Sequence, residues 1–453
     1  MTQLHARLRR HGLFNAKVPR FTSYPPANRF ADDVTGETVA TWMAEVPPGA
    51  DISLYVHVPF CRRLCWFCAC RTQGTKTDMP LERYVNVVRD EMALVRAQLP
   101  ESLRVARLHL GGGTPTILPT GLMDRLLGRL HETFGLGDRD EFSVEIDPVE
   151  IDRARLELLV RYGLNRASLG VQDFDPRVQQ AIGRIQTVEA TRAAVSMLRE
   201  LGVHQVNFDL LYGLPFQTRD SLDRTIDSVL DLGPGRLALY GYAHVPWMSK
   251  RQMVIPVDAL PGPEARYALF EHARKRLLGA GYMQIGIDHF ARPDDALSRA
   301  LVERRLGRNF QGYTDDRTPW LIGLGASAIS RYPQGYAQNQ PATALYQLAI
   351  GQARSAASRG IALTPEDHLR ARVIEQLMCY HAVRLSDLDT AGDPAAETEA
   401  AGWLAALAGE FPDALRFDGQ MLRIETWARP LVRIMAARLG ETRSGEQSFS
   451  AAI

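Results

Sequence analysis

Short apolar runs alternate with amphipathic helical segments through most of the chain, and this alternation limits the possible folds more than any other feature. The runs are rich in Val, Ile, Leu and Tyr, and several are nearly continuously apolar, as strands buried on both faces are. Two of the helical segments end at Gly163 and Gly202, which are common helix-terminating signals. The predicted strands span 53–58, 105–110, 141–146, 166–171, 205–211, 236–242 and 282–287.

Repeated strand–helix–strand units build a parallel sheet, because each helix returns the chain to begin the next strand in the same direction. We therefore predict an α/β fold whose sheet is either doubly wound or partly closed into a barrel. Polar and glycine residues collect at the carboxyl ends of the strands, the edge where parallel sheets bind ligands. The residues expected to form one ring at this edge are Cys61, the GGGTP stretch at 111–115, Glu145, Asp147, Gln172, Asp173, Asp209 and His244.

Beyond about residue 364 the alternation stops. Helices and a hairpin turning at Asp418–Gly419 are predicted there, which indicates a smaller, mainly helical domain. The order of elements resembles a winged helix, but the hairpin carries only Arg416 and Arg423, so we expect a lid or packing role and no nucleic-acid partner. The predicted organisation is an N-terminal basic arm at 1–36, a main domain at 37–364 and this domain at 365–453.

The composition is that of a globular chain. Its 453 residues are 45% hydrophobic and 23% charged with a net charge of +1, which excludes disordered, fibrous and nucleic-acid-coating proteins. The chain has no apolar run of 18 residues, so no membrane span is expected. Six basic residues precede the first acidic one, Asp32, which superficially resembles an organelle transit peptide, but the segment leads straight into a specific motif. We expect a cytoplasmic protein.

Four of the five cysteines lie within ten positions, in CRRLCWFCAC at 61–70. A structural zinc ion could take all four thiolates, although zinc sites usually join two separated Cys pairs. Alternatively, Cys61, Cys65 and Cys68 ligate three irons of an iron–sulfur cube and leave the fourth iron open, with aromatic side chains shielding it. The spacing favours the cube. The fifth cysteine, Cys379, lies in an apolar helical stretch and is expected to pack in a core.

The motif CRRLCWFC after the first strand, together with GGGTP after the second, resembles the signature of the radical S-adenosylmethionine (SAM) enzymes. In that superfamily the open iron chelates the amino and carboxylate groups of SAM, and the glycines allow the backbone to approach the methionine moiety closely. The resemblance implies a [4Fe–4S] cluster held by Cys61, Cys65 and Cys68. It also implies a partial (βα)6-type parallel barrel.

A narrower resemblance, to the oxygen-independent coproporphyrinogen III oxidase family, covers almost the whole chain. PRFTSYPPA at 19–27, the additional Cys70, SVEIDP, LGVQDF, NFDLLYGLP, YGYAHVP, DHFARPDD, RNFQGYT and LGASAIS follow in family order. The family binds two SAM molecules. The resemblance implies that the first contacts Tyr55, Gly112, Glu145 and Ile329, and that the second contacts Phe67, Gly113, Thr114, Gln172, Arg184, Asp209 and Ala243.

The resemblance further implies a reaction. An electron from the reduced cluster cleaves SAM to methionine and a 5′-deoxyadenosyl radical, which abstracts a β-hydrogen from a propionate of coproporphyrinogen III. The propionate then loses CO2 and one electron and becomes a vinyl group, and two such steps yield protoporphyrinogen IX. The implied electron donor is a flavodoxin or ferredoxin, and a monomer is expected. The alternatives are a haem chaperone, whose branch usually lacks Cys70 and the long N-terminal motif, and another haem-related radical SAM paralogue.

The substrate's four carboxylates require clustered positive charge in a chain that is nearly neutral overall. We expect the basic arm to act as a lid over the barrel mouth, with the alternative that its charges only solvate a flexible terminus. Gln311 is a further candidate for a hydrogen bond to substrate or cofactor. The basic residues of the arm are Arg7, Arg9, Arg10, Lys17, Arg20 and Arg29.

Overall fold

The structure is a computed structural model that describes residues 3–137, 139–388, 390, 392–440 and 452–453. Most of its strands belong to one large sheet. The strands are β1 (Ala50–Val58), β2 (Phe60–Cys61), β3 (Gln73–Gly74), β4 (Leu103–Gly112), β5 (Glu141–Ile146), β6 (Arg166–Gln172), β7 (Gln205–Tyr212), β8 (Arg236–Gly241), β9 (Met283–Ile285), β10 (His289–Ala291), β11 (Gly307–Asn309), β12 (Gly312–Thr314), β13 (Leu321–Leu324), β14 (Ile329–Tyr332), β15 (Gly335–Asn339), β16 (Ala357–Ala362), β17 (Ala382–Arg384), β18 (Leu415–Phe417) and β19 (Met421–Ile424).

Helices follow most of the parallel strands and cover the sheet. Several begin at a side-chain cap; for example, Thr187 accepts a hydrogen bond from the Ala190 amide at the start of α7. The helices are α1 (Gln3–Arg10), α2 (Gly36–Ala44), α3 (Met79–Arg96), α4 (Thr120–Phe134), α5 (Arg153–Arg161), α6 (Pro176–Ile182), α7 (Val188–Glu200), α8 (Arg219–Leu232), α9 (Pro263–Gly279), α10 (Ala296–Val302), α11 (Thr343–Gly351), α12 (Pro365–Tyr380), α13 (Pro394–Glu410) and α14 (Val432–Leu439).

The central sheet has twelve strands in the order β16-β15-β14-β13-β1-β4-β5-β6-β7-β8-β10-β9. Strands β13, β1 and β4 to β8 run parallel, so their carboxyl ends meet at one edge. The first six predicted strands are confirmed to within three residues at either end. In the described chain the strand order does not close on itself, so the sheet is an incomplete barrel, as expected.

The seventh predicted strand pairs differently from the expectation. Strand β9 is antiparallel to β10, and β10 is antiparallel to β8. A left-handed backbone at Gly286, with φ of +57°, helps the chain reverse between them instead of leading into another helix. Four strands that were not predicted, β13 to β16, extend the opposite edge of the sheet.

The core of the main domain lies between this sheet and its helices. Leu54 and Val56 of β1 are buried with Phe208 of β7 and with leucines of the covering helices. Helices α5 and α7 end near Gly163 and Gly202, both with positive φ, which confirms those termination signals. No helix in the described ranges is long and apolar enough to cross a membrane.

The N-terminal arm and the C-terminal domain share a second apolar core. Leu8, Leu13 and Phe14 of the arm are buried in it with residues of α12, α13 and α14. The predicted hairpin is confirmed: β18 and β19 pair antiparallel, and Gly419 in the turn has φ of +89°. Strand β17 completes a small sheet in the order β17-β19-β18. Cys379 is buried on α12, as predicted.

Candidate active site

The cysteine loop follows β1 and opens into a cavity of about 410 Å³ at the carboxyl ends of the parallel strands. Cys61 lies on β2, a two-residue strand that pairs parallel with β3 and so closes the loop at its base. Cys65, Cys68 and Cys70 also line the cavity. The chain therefore brings the four clustered thiols to the strand edge where the sequence predicted a ligand site.

A segment after β8 holds the cysteine loop in place. Ser249 donates to the Cys68 carbonyl at 2.9 Å, and Gln252 donates to the Phe67 carbonyl at 2.7 Å. Arg251 donates to the Cys70 carbonyl at 3.0 Å. These three residues bind the backbone of a loop about 180 positions earlier. They were not predicted from the sequence, where the only local signal is the polar run SKRQ at 249–252.

Two side chains contact the thiols directly. The Thr114 hydroxyl lies 3.6 Å from the Cys61 sulfur, and the Arg184 guanidinium lies 3.4 Å from the Cys65 sulfur. Burial raises the pKa of the Cys61 thiol to about 11. The hydrogen bond between Cys68 and Cys70 lowers the pKa of Cys68 and raises that of Cys70. Iron and zinc both bind the thiolate, so filling the site releases protons from these thiols.

The arrangement of the donors bears on which metal group they fit. Within the described ranges, no three His, Cys, Asp or Glu side chains converge where one ion could be held. A cube takes one thiolate at each iron, so its three thiols can face a shared space without meeting at a point. Three cysteines around one cavity suit the cube.

The three glycines at 111–113 have no space for side chains. A Cβ at Gly111 would lie 2.8 Å from a Glu145 oxygen, and one at Gly112, where φ is +117°, would lie 2.7 Å from the His57 ring. A Cβ at Gly113 would lie 2.6 Å from the Phe60 carbonyl oxygen. The glycines are thus required for β4 to approach β1 and the cysteine loop.

The amides of this motif already have protein acceptors. The Gly112 amide donates to Glu145 at 3.0 Å, the Gly113 amide to the Val58 carbonyl, and the Thr114 amide to the Phe60 carbonyl. We infer that close packing, more than free amide donors, explains why the chain has glycine here.

Glu145 lies at the centre of a chain of hydrogen bonds that joins β4 and β5. Its carboxylate faces the His109 imidazole at 3.5 Å, and His109 contacts Ser143 at 2.7 Å. Burial would raise the pKa of Glu145, but His109 and the Gly112 amide hold it below its usual value. Glu145 is therefore an anionic acceptor at neutral pH, which suits the α-amino group of an amino acid.

Arg184 follows α6 and points into the same cavity. It donates to the Gly170 carbonyl at 2.7 Å and forms an ion pair with Asp147 at 3.3 Å. Its Nε is buried without a partner in the described chain. Beside it, Gln172 has a left-handed backbone with φ of +67°, at an irregularity in the pairing of β6 with β7.

Asp173 and Asp209, both predicted to belong to the ring at the strand edge, differ in role. Burial raises the pKa of Asp209 to about 6, and Asp209 lines the cavity beside Ser168. Asp173 points away into the protein, where it accepts hydrogen bonds from Gln217 and Thr225. Asp173 thus stabilises the fold and does not belong to the ring of ligands.

Eight of the eleven predicted SAM contacts line the cavity. Tyr55 lies behind it, stacked on His109 and bonded to His57 at 2.8 Å. Ala243 lines a neighbouring cavity, and Ile329 begins β14 outside the main one. His244 contacts Tyr242 and does not line the cavity. The eight that line it are Phe67, Gly112, Gly113, Thr114, Glu145, Gln172, Arg184 and Asp209.

The inner end of the cavity was not predicted. Arg107, Arg166 and Arg236 line it and form ion pairs with acidic residues such as Glu141 and Asp295. His289 and Tyr240, bonded to one another at 3.3 Å, lie near Asp209 on the same cavity. Gln311, a candidate hydrogen-bonding residue from the sequence, also lines the cavity.

Comparison with known proteins identifies the family. A sequence model of the radical SAM superfamily matches residues 55–229. The oxygen-independent coproporphyrinogen III oxidase of Paracoccus denitrificans is 49% identical over 449 residues, 99% of each chain. The chain belongs to the oxygen-independent coproporphyrinogen III oxidase family. The Escherichia coli K12 member is 40% identical over 366 residues, 81% of this chain and 80% of its own.

A solved structure of this oxidase family supports the architecture described above. Coproporphyrinogen III oxidase from Escherichia coli, described as a radical SAM enzyme, aligns with a TM-score of 0.89 at 34% identity. The alignment covers 94% of this chain and 100% of the other. The predicted family and the α/β fold class are therefore confirmed.

Proposed function

We propose that this oxidase family member converts two propionates of coproporphyrinogen III to vinyl groups without oxygen, giving protoporphyrinogen IX and consuming two SAM molecules. One observation supports this most: the three spaced cysteines, the packed glycines and the anionic Glu145 line one cavity in a chain of this family. The proposed pathway is porphyrin and haem biosynthesis, and the proposed location is the cytoplasm.

Cys61, Cys65 and Cys68 would hold a [4Fe–4S] cluster, which, when bound, supplies the single electron for reductive cleavage of SAM. Arg184 and the Thr114 hydroxyl contact two of these thiols and would help set their charge. The bonds from Ser249, Arg251 and Gln252 fix the loop backbone, so the ligands would keep their orientation. Cys70 would not be a ligand, since the open iron requires only three thiolates.

The residues around the cysteines would bind and orient SAM. Glu145, which is anionic at neutral pH, would bind the α-amino group of the first molecule. Tyr55, Gly112 and Ile329 are the other residues that the family resemblance assigns to that molecule. The second molecule would contact the remaining seven residues named from the sequence. Asp209 offers an acceptor for ribose hydroxyls. Arg184 already contacts Asp147, so binding a SAM carboxylate there would require it to share or exchange that partner.

The parallel strands and the cysteine loop enclose the cavity on several sides. Such enclosure excludes water from a reactive radical, which is the protein's main contribution to chemistry carried by a cofactor. The required reductant would be a flavodoxin or ferredoxin, and the enzyme would act as a monomer.

The structure changes how the basic arm would contribute. Arg7 stacks on Trp427 at 3.7 Å and contacts Asp413, and Arg9 forms an ion pair with Glu264. Arg20 alone among the three reaches the barrel mouth, where it donates to the Gly241 carbonyl at 2.7 Å. We propose that the arm closes the barrel mouth through Arg20, while Arg7 and Arg9 fasten it to neighbouring elements.

Product analysis beside haem titration separates an oxidase from a haem chaperone. With a chemical reductant under anaerobic conditions, the oxidase should form protoporphyrinogen IX and CO2 and bind haem weakly. Stable stoichiometric haem binding with no decarboxylation would contradict the proposal and favour the chaperone alternative.

A further inference from the structure

A second cavity of about 260 Å³ lies outside the barrel mouth, between the arm, α9 and the C-terminal domain. Gly241, Tyr242 and Ala243 form one wall, and they directly follow Ala238 and Tyr240, which line the cysteine cavity. The two cavities thus meet at the end of β8. A group held in the second cavity would lie next to the proposed SAM site.

Positive charge from separate parts of the chain converges on this cavity. Arg20 comes from the arm, Arg266 from α9 and Arg433 from α14, and Arg274 and Arg429 also line it. Arg274 is bonded to Glu271 on its own helix through two nitrogens. The other acidic side chain in the lining, Asp288, is bonded to His289. The cavity therefore carries an excess of guanidinium groups.

The inner arginines are fixed by backbone carbonyls. Arg266 donates to the Tyr242 carbonyl at 2.7 Å, and its Nε is buried without a partner in the described chain. Arg20 donates to Gly241, one residue earlier on the same strand end. Arg433 donates to the carbonyls of Val18, Pro19 and Ala452. Carbonyl partners orient a guanidinium but do not neutralise its charge.

The charges are close enough to affect one another. Burial lowers the pKa of Arg266, and the neighbouring Arg20 lowers it further. Burial and Arg20 together lower the pKa of Arg433 to about 9. Bringing like charges together in a partly buried cavity is unfavourable unless an anion binds there. This cost agrees with the convergence of arginines in favouring an anionic ligand.

We propose that Arg20 and Arg266 bind a propionate carboxylate of the porphyrinogen that is not reacting, and so place the reacting propionate at the cysteine cavity. This inference rests on the proposed function for the identity of the ligand. A carboxylate offers two oxygens to guanidinium donors, and the apolar wall of Tyr212, Tyr267 and Phe270 suits the face of a macrocycle. Arg433 orients Arg20 by anchoring the preceding arm residues.

The test compares R266Q, R266K and R20Q with the wild type and with R276Q. Arg276 lies on the same helix but faces Asp223 and Asp227 on α8, so R276Q controls for charge loss. KM for coproporphyrinogen III should rise about 10- to 100-fold in R266Q and R20Q, since a hydrogen bond to a charged group is lost. The KM of R266K should lie between those of the wild type and R266Q, and the KM of R276Q should match that of the wild type.

Iron content and substrate-independent SAM cleavage should stay unchanged in all four variants. Wild-type-like KM values in both R266Q and R20Q, with active wild-type enzyme, would overturn the inference but leave the proposed function standing. If the wild type makes no product, the proposed function fails, and fluorescence-detected binding of coproporphyrin III, a stable tetracarboxylate, tests the cavity directly. Equal affinity of coproporphyrin III for the wild type, R266K and R20Q would overturn the inference that Arg20 and Arg266 bind a carboxylate. The conservative R266K also covers the case in which R266Q does not fold.

Discussion

The guanidinium of Arg184 lies 3.4 Å from the Cys65 sulfur and 3.3 Å from a carboxylate oxygen of Asp147. It therefore joins the end of α6 to the cysteine loop through a charged contact on a proposed cluster ligand. Hydrogen bonds to ligand sulfurs and nearby net charge are among the factors that set the potential of an iron–sulfur cluster.

Replacing Arg184 should change the cluster's potential more than its assembly. We expect R184Q to retain iron, because all three thiols remain, and to shift the midpoint potential about 20–60 mV more negative, equivalent to about 0.5–1.4 kcal/mol. Loss of a positive charge disfavours the reduced, more negative cluster. An anaerobic redox titration followed by electron paramagnetic resonance measures the shift. R192Q, which removes an exposed arginine on α7, is the control, and an unchanged potential in R184Q would contradict this role.

Gly113 offers a steric test of the glycine motif. A Cβ there would lie 2.6 Å from the Phe60 carbonyl oxygen, so G113A must displace backbone adjacent to Cys61. We expect at least a tenfold loss of SAM affinity or a clear loss of bound iron, measured by equilibrium binding and iron assay. G121A, at a position where a Cβ has open space, should match the wild type. Wild-type SAM affinity and iron content in G113A would show that this close packing is not required.

The four clustered cysteines should respond differently to substitution. C61A, C65A and C68A should each abolish the cluster's absorption in anaerobically reconstituted protein, whereas C70S should retain about four iron and four sulfide. C379S, in a distant core, controls for thiol loss. Cluster loss in C70S with the fold intact would make Cys70 a ligand, and stoichiometric zinc without sulfide in active protein would favour the zinc alternative.

Glu91 should make stability depend on pH. This buried carboxyl accepts hydrogen bonds from the Gly325 amide, Tyr346 and Asn339, and burial raises its pKa to about 7. The unfolded value is about 4.3, so the folded state binds the proton more tightly. The stabilising contribution is complete below the unfolded pKa and is lost as pH rises through about 7.

Wild-type stability should accordingly fall by about 1–2 kcal/mol more than that of E91Q between pH 5.5 and pH 8. Denaturant unfolding at both pH values measures the difference. E264Q, at a surface position, should show the same change in free energy of unfolding with pH as the wild type. If the stability of the wild type and of E91Q changes equally between these two pH values, Glu91 does not titrate in this range.

Much of the fold follows from local patterns. The strand predicted at 141–146 matches β5 because apolar and polar residues alternate through EFSVEI and aspartates flank it at both ends. Strands β13 to β16 were missed because they are four to six residues long and contain Gly, Ala and Ser in place of a sustained apolar run. Their stability comes from pairing with β1 and with one another, which is a tertiary effect.

The candidate site also has residues that could be predicted from the sequence and residues that could not. Cys61, Gly112 and Glu145 could be found because each directly follows or ends a strand, at an edge where ligands bind. Arg251 could not, because its partner, the Cys70 carbonyl, lies far away in sequence. Arg266 lies on α9 without a local motif, and only the packing of that helix against the end of β8 reveals its position at the barrel mouth.

The most direct test of the central claim is anaerobic turnover of coproporphyrinogen III by reconstituted, chemically reduced enzyme, with CO2, 5′-deoxyadenosine and protoporphyrinogen IX quantified together. We predict two CO2 and about two 5′-deoxyadenosine per protoporphyrinogen IX, and no CO2 without SAM or from C65A. Decarboxylation that does not require SAM, or SAM cleavage that never yields CO2 from this substrate, would contradict the account.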